Sequence, residues 1–206
     1  MHDEKRAAGS WFDRRAGAYE DGFTARWRDP IQKGSFEALE LKLGDRLLVV
    51  GCGTGAASRR AAAVAGSVVG ADLSSEMLKE ARQLARGIDN VTFVQADAEA
   101  LPLEDASFTA ILCTNSFHHY PNPAAAIGEM ARVLAPGGRL LVGDPCADVW
   151  TVRVADLFLK RMERGHIRLY RSHEMAAFIY GAGLTGIRVR RLFDGAMTIY
   201  AGTKAG

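Results

Sequence analysis

A chain of 206 residues, 48% hydrophobic and 24% charged, has the size and composition of one domain able to bury a sheet on both faces. Its 26 basic and 24 acidic side chains nearly balance, so overall charge makes no case for a nucleic-acid partner. The opening stretch MHDEKRAAGSW lacks the apolar centre of a signal peptide, and no uninterrupted apolar window reaches about 18 residues; a cytoplasmic protein without a membrane span is expected.

In chain order, residues 11–40 carry Trp11, Phe12, Tyr19, Phe23, Trp27 and Phe36 at loose helical intervals. Pro30 interrupts them, which predicts two short helices in the segment 1–43 ahead of the sheet. A strand–turn–helix rhythm then sets in. LLVVGCGTG at 47–55 is an apolar run without polar alternation, as in a strand covered on both faces, that breaks into Gly51, Gly53 and Gly55. Strands are predicted at 46–50, 68–71, 91–95, 108–113 and 139–143. Helices are predicted over 55–64, 74–85 and from Pro123 to about Leu134, with APGG at 135–138 as the stop.

Beyond residue 144 the pattern changes. A small helical segment at 145–182 holds helices over 149–164 and 172–180. Strands at 186–190 and 196–201 then flank the Asp-Gly turn of RLFDG, an antiparallel hairpin closing the sheet. The whole predicts one α/β domain over 1–206, a doubly wound, mostly parallel, seven-stranded sheet.

Such sheets bind ligands outside the carboxyl ends of their strands, where strand order reverses. Asp72 ends the second strand 21 positions after Gly51, near the spacing of an acid that accepts from ribose hydroxyls. Gly51-x-Gly53-x-x-Ala56 also fits a dinucleotide fingerprint, so the glycines alone do not separate NAD from a smaller adenosine compound. Asp97 follows the third strand in QADAEALPL, where it either accepts from an exocyclic amine or caps the next turn. Cys52, Cys113 and Cys146 are odd in number and far apart. A cluster of Cys113 and Cys146 with His118 and His119 lacks zinc-site spacing, so no metal is expected.

Taken in sequence, four blocks resemble the class I S-adenosylmethionine-dependent methyltransferases, especially the UbiE-like small-molecule group, over about Phe12 to Thr203. LLVVGCGTG is similar to that family's first motif and VVGADLSSEML at 68–78 to its acidic second. FVQADAEALPLEDASF at 93–108 is similar to the adenine-side segment. CTNSFHHYPNPAAAIGEMARVLAPGGRLLV at 113–142 matches the fourth strand, the helix after it and the fifth strand. The resemblance implies a Rossmann-like methyltransferase fold, S-adenosyl-L-methionine as cofactor with S-adenosyl-L-homocysteine as product, and methyl transfer to an O, N or C atom of a small molecule. It implies Gly51, Gly53 and Gly55 against the methionine part, Asp72 on the ribose, and Leu73 and Met77 along the adenosine. Asp97 and Ala98 would address adenine, Asn115 and Ser116 would lie beside the methyl, and Tyr19 of FDRRAGAYE would close over the cofactor carboxylate. Met77 and Tyr19 fit a packed core as well.

In-line displacement asks a protein to align nucleophile, methyl and sulfur, and it needs a base only if the acceptor carries a proton. His118 and His119, just beyond the fourth strand, are the candidates, with His119 ahead, and they fit a lining of the substrate or cofactor as well. His166, Arg168 and Tyr170 of HIRLYRSH form a second polar cluster, either covering a substrate or making a solvated face. The expected partner is a small-molecule acceptor, with no nucleic acid, and the expected state is a monomer or homodimer. Two alternatives stay open: a cofactor-binding regulatory protein without turnover, and an NAD-dependent oxidoreductase.

Overall fold

The computed structural model describes residues 2–19, 25–162 and 166–206. Helices α1 (His2–Asp13) and α2 (Ala25–Leu39) precede the sheet. Strand β1 (Arg46–Val50), helix α3 (Ala56–Ala62), β2 (Ser67–Asp72), α4 (Ser75–Leu84), β3 (Val91–Gln95), β4 (Phe108–Thr114), α5 (Pro123–Val133) and β5 (Leu134–Pro145) follow. The C-terminal part comprises α6 (Trp150–Met162), α7 (Ser172–Gly181), β6 (Leu184–Leu192) and β7 (Met197–Lys204).

The seven strands lie in the order β3-β2-β1-β4-β5-β7-β6. β1 to β5 are parallel, whereas β7 runs antiparallel to both β5 and β6. Alternation along β1 explains the two-sided core. Leu47 and Val49 pack with Leu39 of α2 and Ala57 and Ala61 of α3, while Leu48 and Val50 pack with Ile127 and Met130 of α5 and Ile179 of α7. The helices start where their caps allow. Ser74 Oγ accepts from Met77 N at 3.1 Å before α4, and Asn122 Oδ1 accepts from Ala125 N at 3.2 Å before α5, with Pro123 in the first turn.

Two local expectations fail for physical reasons. α2 runs through Pro30. As the sixth residue of the helix, the proline removes the one intrahelical bond its N–H would have made, and buried Ile31, Ser35 and Leu39 hold the helix in spite of it. The APGG stretch is part of β5, bulging between the pairs Phe108–Leu134 and Ala110–Arg139. The hairpin is present, but its turn spans Phe193–Gly195, with positive φ at all three residues. Phe23 and the last residues expected in the helix at 149–164 fall outside the described residues. Among the described residues, no helix is long and apolar enough to cross a membrane.

Strand order reverses between β1 and β4. Their carboxyl ends therefore leave a crevice, and the glycine loop after β1 opens into it.

Candidate functional site

Gly51, Gly53 and Gly55 all have positive φ. A Cβ on Gly51 would overlap the Ser116 side chain, so the β1 and β4 ends come this close only with glycine there. The Gly53 amide donates to Asp72 Oδ2 at 2.8 Å, and the Ser74 amide donates to Oδ1 at 2.9 Å. The acid that ends β2 is thereby clamped by the loop that ends β1. Gly55 has a different neighbour, because a Cβ there would lie 2.8 Å from the Phe93 ring. It packs α3 against the sheet and does not line the cavity.

That cavity encloses about 790 Å³, the open solvent at its mouth included. Tyr19, Gly51, Gly53, Asp72, Leu73, Met77, Asp97, Ala98, Asn115, Ser116 and His119 line it, so ten of the eleven residues expected at the cofactor come together with one expected base. A second cavity of about 450 Å³ shares Tyr19, Gly51, Gly53 and Asn115 and reaches Gln32 and Thr54. Asn115 holds a left-handed backbone, with φ of 53°, that asparagine tolerates better than most residues. Ser116 is buried, and its Oγ lies 3.0 Å from Tyr120 OH and 3.3 Å from Val50 O.

Helix α1 roofs the cavity with Lys5, Gly9 and Phe12. Lys5 Nζ lies 2.6 Å from Asp97 Oδ2 and 2.6 Å from Glu99 Oε2. Burial lowers the Lys5 pKa, but hydrogen bonds to the two acids outweigh it and hold the ammonium above its ordinary value. Sequence reasoning missed Lys5, because nothing local links residues 92 positions apart.

The histidines divide by environment. His119 faces the cavity, its ring edge-on to Phe12 at 5.0 Å. His118 is buried, and Asp144 Oδ2 lies 2.9 Å from its Nδ1 and accepts its backbone N–H at 3.0 Å. Asp144 was also missed, although an acid closing the fifth strand in VGDP was the available signal. The His166 ring stands 5.1 Å from that of His118, and its Nε2 lies 2.6 Å from Asp156 Oδ1.

Tyr170 and Arg168 sit elsewhere. Tyr170 is core, 5% exposed and edge-on to Phe117 and Phe178. Arg168 lies over its ring and pairs with Glu174 on the surface. The cysteines do not converge with the histidines. Cys113 Sγ is 3.2 Å from Ser116 Oγ, whereas Cys146 Sγ is 3.4 Å from Ser172 Oγ. Burial pushes the Cys113 thiol up to about 12, so it is not a thiolate nucleophile near neutral pH.

Comparison with known proteins gives the family and the fold. The methyltransferase domain family matches residues 48–142. The demethylmenaquinone methyltransferase of Clavibacter sepedonicus is 31% identical, with 78% of this chain and 74% of that protein covered. The 27-O-demethylrifamycin SV methyltransferase of Amycolatopsis mediterranei is 44% identical over 52% of this chain. Only 40% of that protein is covered, and 39% of a 37.1 kDa transposon protein of Streptomyces fradiae, so the chain spans well under two thirds of several curated relatives. A SAM-dependent methyltransferase from Thermotoga maritima shares the fold with a TM-score of 0.78 at 22% identity, covering 96% of this chain and 99% of that one.

Proposed function

The chain belongs to the S-adenosylmethionine-dependent methyltransferases of class I, and from that premise we propose that it transfers a methyl group to a small-molecule acceptor in the cavity beneath α1. The observation that carries the reading is Asp72, an acid held by two backbone amides at the rim of a cavity whose other end presents His119. The residues fit the cofactor. The Asp72 oxygens each accept one backbone hydrogen bond and keep acceptor capacity for ribose hydroxyls. Leu73 and Met77 offer an apolar wall to the adenosine, and Ala98 with Asp97 borders its far end. Gln32 and Thr54 line the second cavity on the methionine side.

S-adenosylmethionine, when bound, supplies a methyl group activated by its positive sulfur. This chain's part is to align and to dry the site. Phe12 and Gly9 close the roof, and Tyr19 closes the side between the two cavities. His119 receives a proton where the acceptor is a hydroxyl or an amine. Asp144 fixes the orientation of His118, whose ring centroid lies 4.0 Å from that of His119 and holds it toward the cavity. Relatives named for a demethylated menaquinone and a rifamycin derivative support a small organic acceptor.

Calorimetry on ligand-free protein tests the cofactor. Saturable heat with S-adenosylmethionine and S-adenosylhomocysteine is expected, and silence with both beside a response to NAD would overturn the reading. A mass-spectrometric screen of cell metabolites for a gain of one methylene then identifies the acceptor. With that acceptor in hand, His119→Gln lowers turnover at least about tenfold without matching loss of cofactor affinity. An unchanged rate at saturating acceptor leaves His119 as lining only.

A further inference from the structure

Helix α6 presents an unusual face to solvent. Trp150, Val154, Leu157 and Phe158 are 67%, 44%, 65% and 64% exposed. Their spacing places all four on one stripe of the helix. The anchor is on another face: Asp156 Oδ1 lies 2.6 Å from His166 Nε2 and accepts the Leu169 amide at 3.2 Å. The stripe is therefore not a core face seeking the body of the domain.

Basic side chains border it. Arg161 in the last turn of the helix lies in line with the stripe at its end, and a groove along one flank brings Arg153 and Lys160 together with Arg168, Arg171 and His173. The two acids of that groove are engaged, Asp156 with Lys160 and His166, and Glu174 with Arg168. Among the described residues, Arg153, Arg161 and Arg171 have no acidic partner, so the flank keeps a positive excess.

An apolar stripe containing Trp, Leu and Phe beside uncompensated arginines is the pattern of a helix that lies in a membrane interface. A second copy of this chain docked on the stripe would bring two basic flanks together, which costs energy. A neutral apolar partner would leave the same arginines without counter-charge. We infer that α6 seats the protein on an anionic lipid surface. Trp150, Leu157 and Phe158 enter the boundary between headgroups and acyl chains, while Arg153 and Arg171 face lipid phosphate. The same helix holds His166 beside the histidine corner, so docking places the acceptor side of the cavity near the lipid.

The test is co-sedimentation with vesicles of phosphatidylcholine alone and of phosphatidylcholine with about 30% phosphatidylglycerol. Binding to the anionic vesicles only is expected, with a blue shift of tryptophan emission that Trp150→Phe removes. Arg153→Gln weakens that binding about fivefold. The double substitution Leu157→Ser with Phe158→Ser weakens it at least about tenfold, while S-adenosylhomocysteine binding and thermal unfolding stay as in the parent. Should the double variant not fold, the Trp150 emission of the parent decides. Equal binding to neutral vesicles, binding to neither, or a dimer that the double substitution dissociates would overturn the inference. Vesicle binding without S-adenosylhomocysteine binding in the parent would instead count against the methyl-transfer reading alone.

Discussion

Burial pushes the Asp72 carboxyl above its ordinary value of 3.8, and the amides of Ser74 and Gly53 pull it down without cancelling the rise. A folded pKa above the unfolded one means that the folded chain binds the proton more tightly. The contribution of Asp72 to stability therefore falls as pH rises through the window from the ordinary carboxylate value to the raised one. Ribose hydroxyls favour the ionised form, so affinity for S-adenosylhomocysteine increases with pH across that window and binding releases protons. Calorimetry in buffers of different ionisation enthalpy measures that release. Asp72→Asn abolishes both pH dependences and raises Kd about 30- to 1000-fold, or roughly 2 to 4 kcal/mol. A variant within twofold of the parent removes Asp72 from the ribose.

The connection between β3 and β4, which carries Asp97 and Ala98, has no regular structure of its own to hold it. Arg132 of α5 supplies the hold, donating to Leu103 O at 2.8 Å, Leu101 O at 2.9 Å and Asp105 Oδ1 at 2.5 Å. Glu129 orients Arg132 from one turn earlier and accepts the Leu101 amide at 2.8 Å. The bond from Arg132 keeps the Glu129 carboxyl below its ordinary 4.5, so its stabilisation is present above that value and is lost as pH falls through the depressed one. Arg132→Ala costs roughly 1 to 3 kcal/mol of stability and weakens S-adenosylhomocysteine binding by about fivefold through a loosened loop. Hydrogen exchange across residues 96–107 reads the loosening, and unchanged protection there would refute the staple. Elements like the central strands were legible because both faces are covered and the apolar run needs no partner to identify it. Pro30 and APGG were misread because their outcome depends on what packs around them: a buried helix face in one case, a bulge between two strands in the other.

The molecule divides along its strands. The carboxyl ends hold the cavity, and the amino ends hold a buried clamp, where Asp45 accepts from Thr109 Oγ1 at 2.8 Å, the Lys42 amide at 2.7 Å and Arg139 Nη2 at 2.5 Å. Arg139 also donates to Leu39 O at 2.9 Å, so one side chain joins α2, β5 and the entry to β1. The division explains which parts of the site could be read in advance. Gly51 and Asp72 directly follow or end strands, so a linear pattern carries them. Lys5 meets Asp97 and Asp144 meets His118 only once the helices and the sheet assemble, and Tyr170, expected to cover a substrate or to sit on a solvated face, is enclosed by Phe117 and Phe178.

The same division makes stability and binding separable by mutation. Arg139→Met keeps the stem that packs but leaves the Asp45 carboxylate buried without its cation, a loss of about 3 to 5 kcal/mol. For a domain of this length that lowers Tm by roughly 6 to 20 °C. The clamp shares no residue with the cavity, so at temperatures where the variant is folded its Kd for S-adenosylhomocysteine stays within about threefold of the parent. The double variant Asp45→Asn with Arg139→Met removes the stranded charge and recovers part of the lost Tm. Thermal unfolding with and without S-adenosylhomocysteine checks both halves, because a ligand-induced rise in Tm as large as the parent's reports an intact site on a weakened frame. A ligand shift that collapses together with Tm would show that the two ends of the sheet are coupled after all.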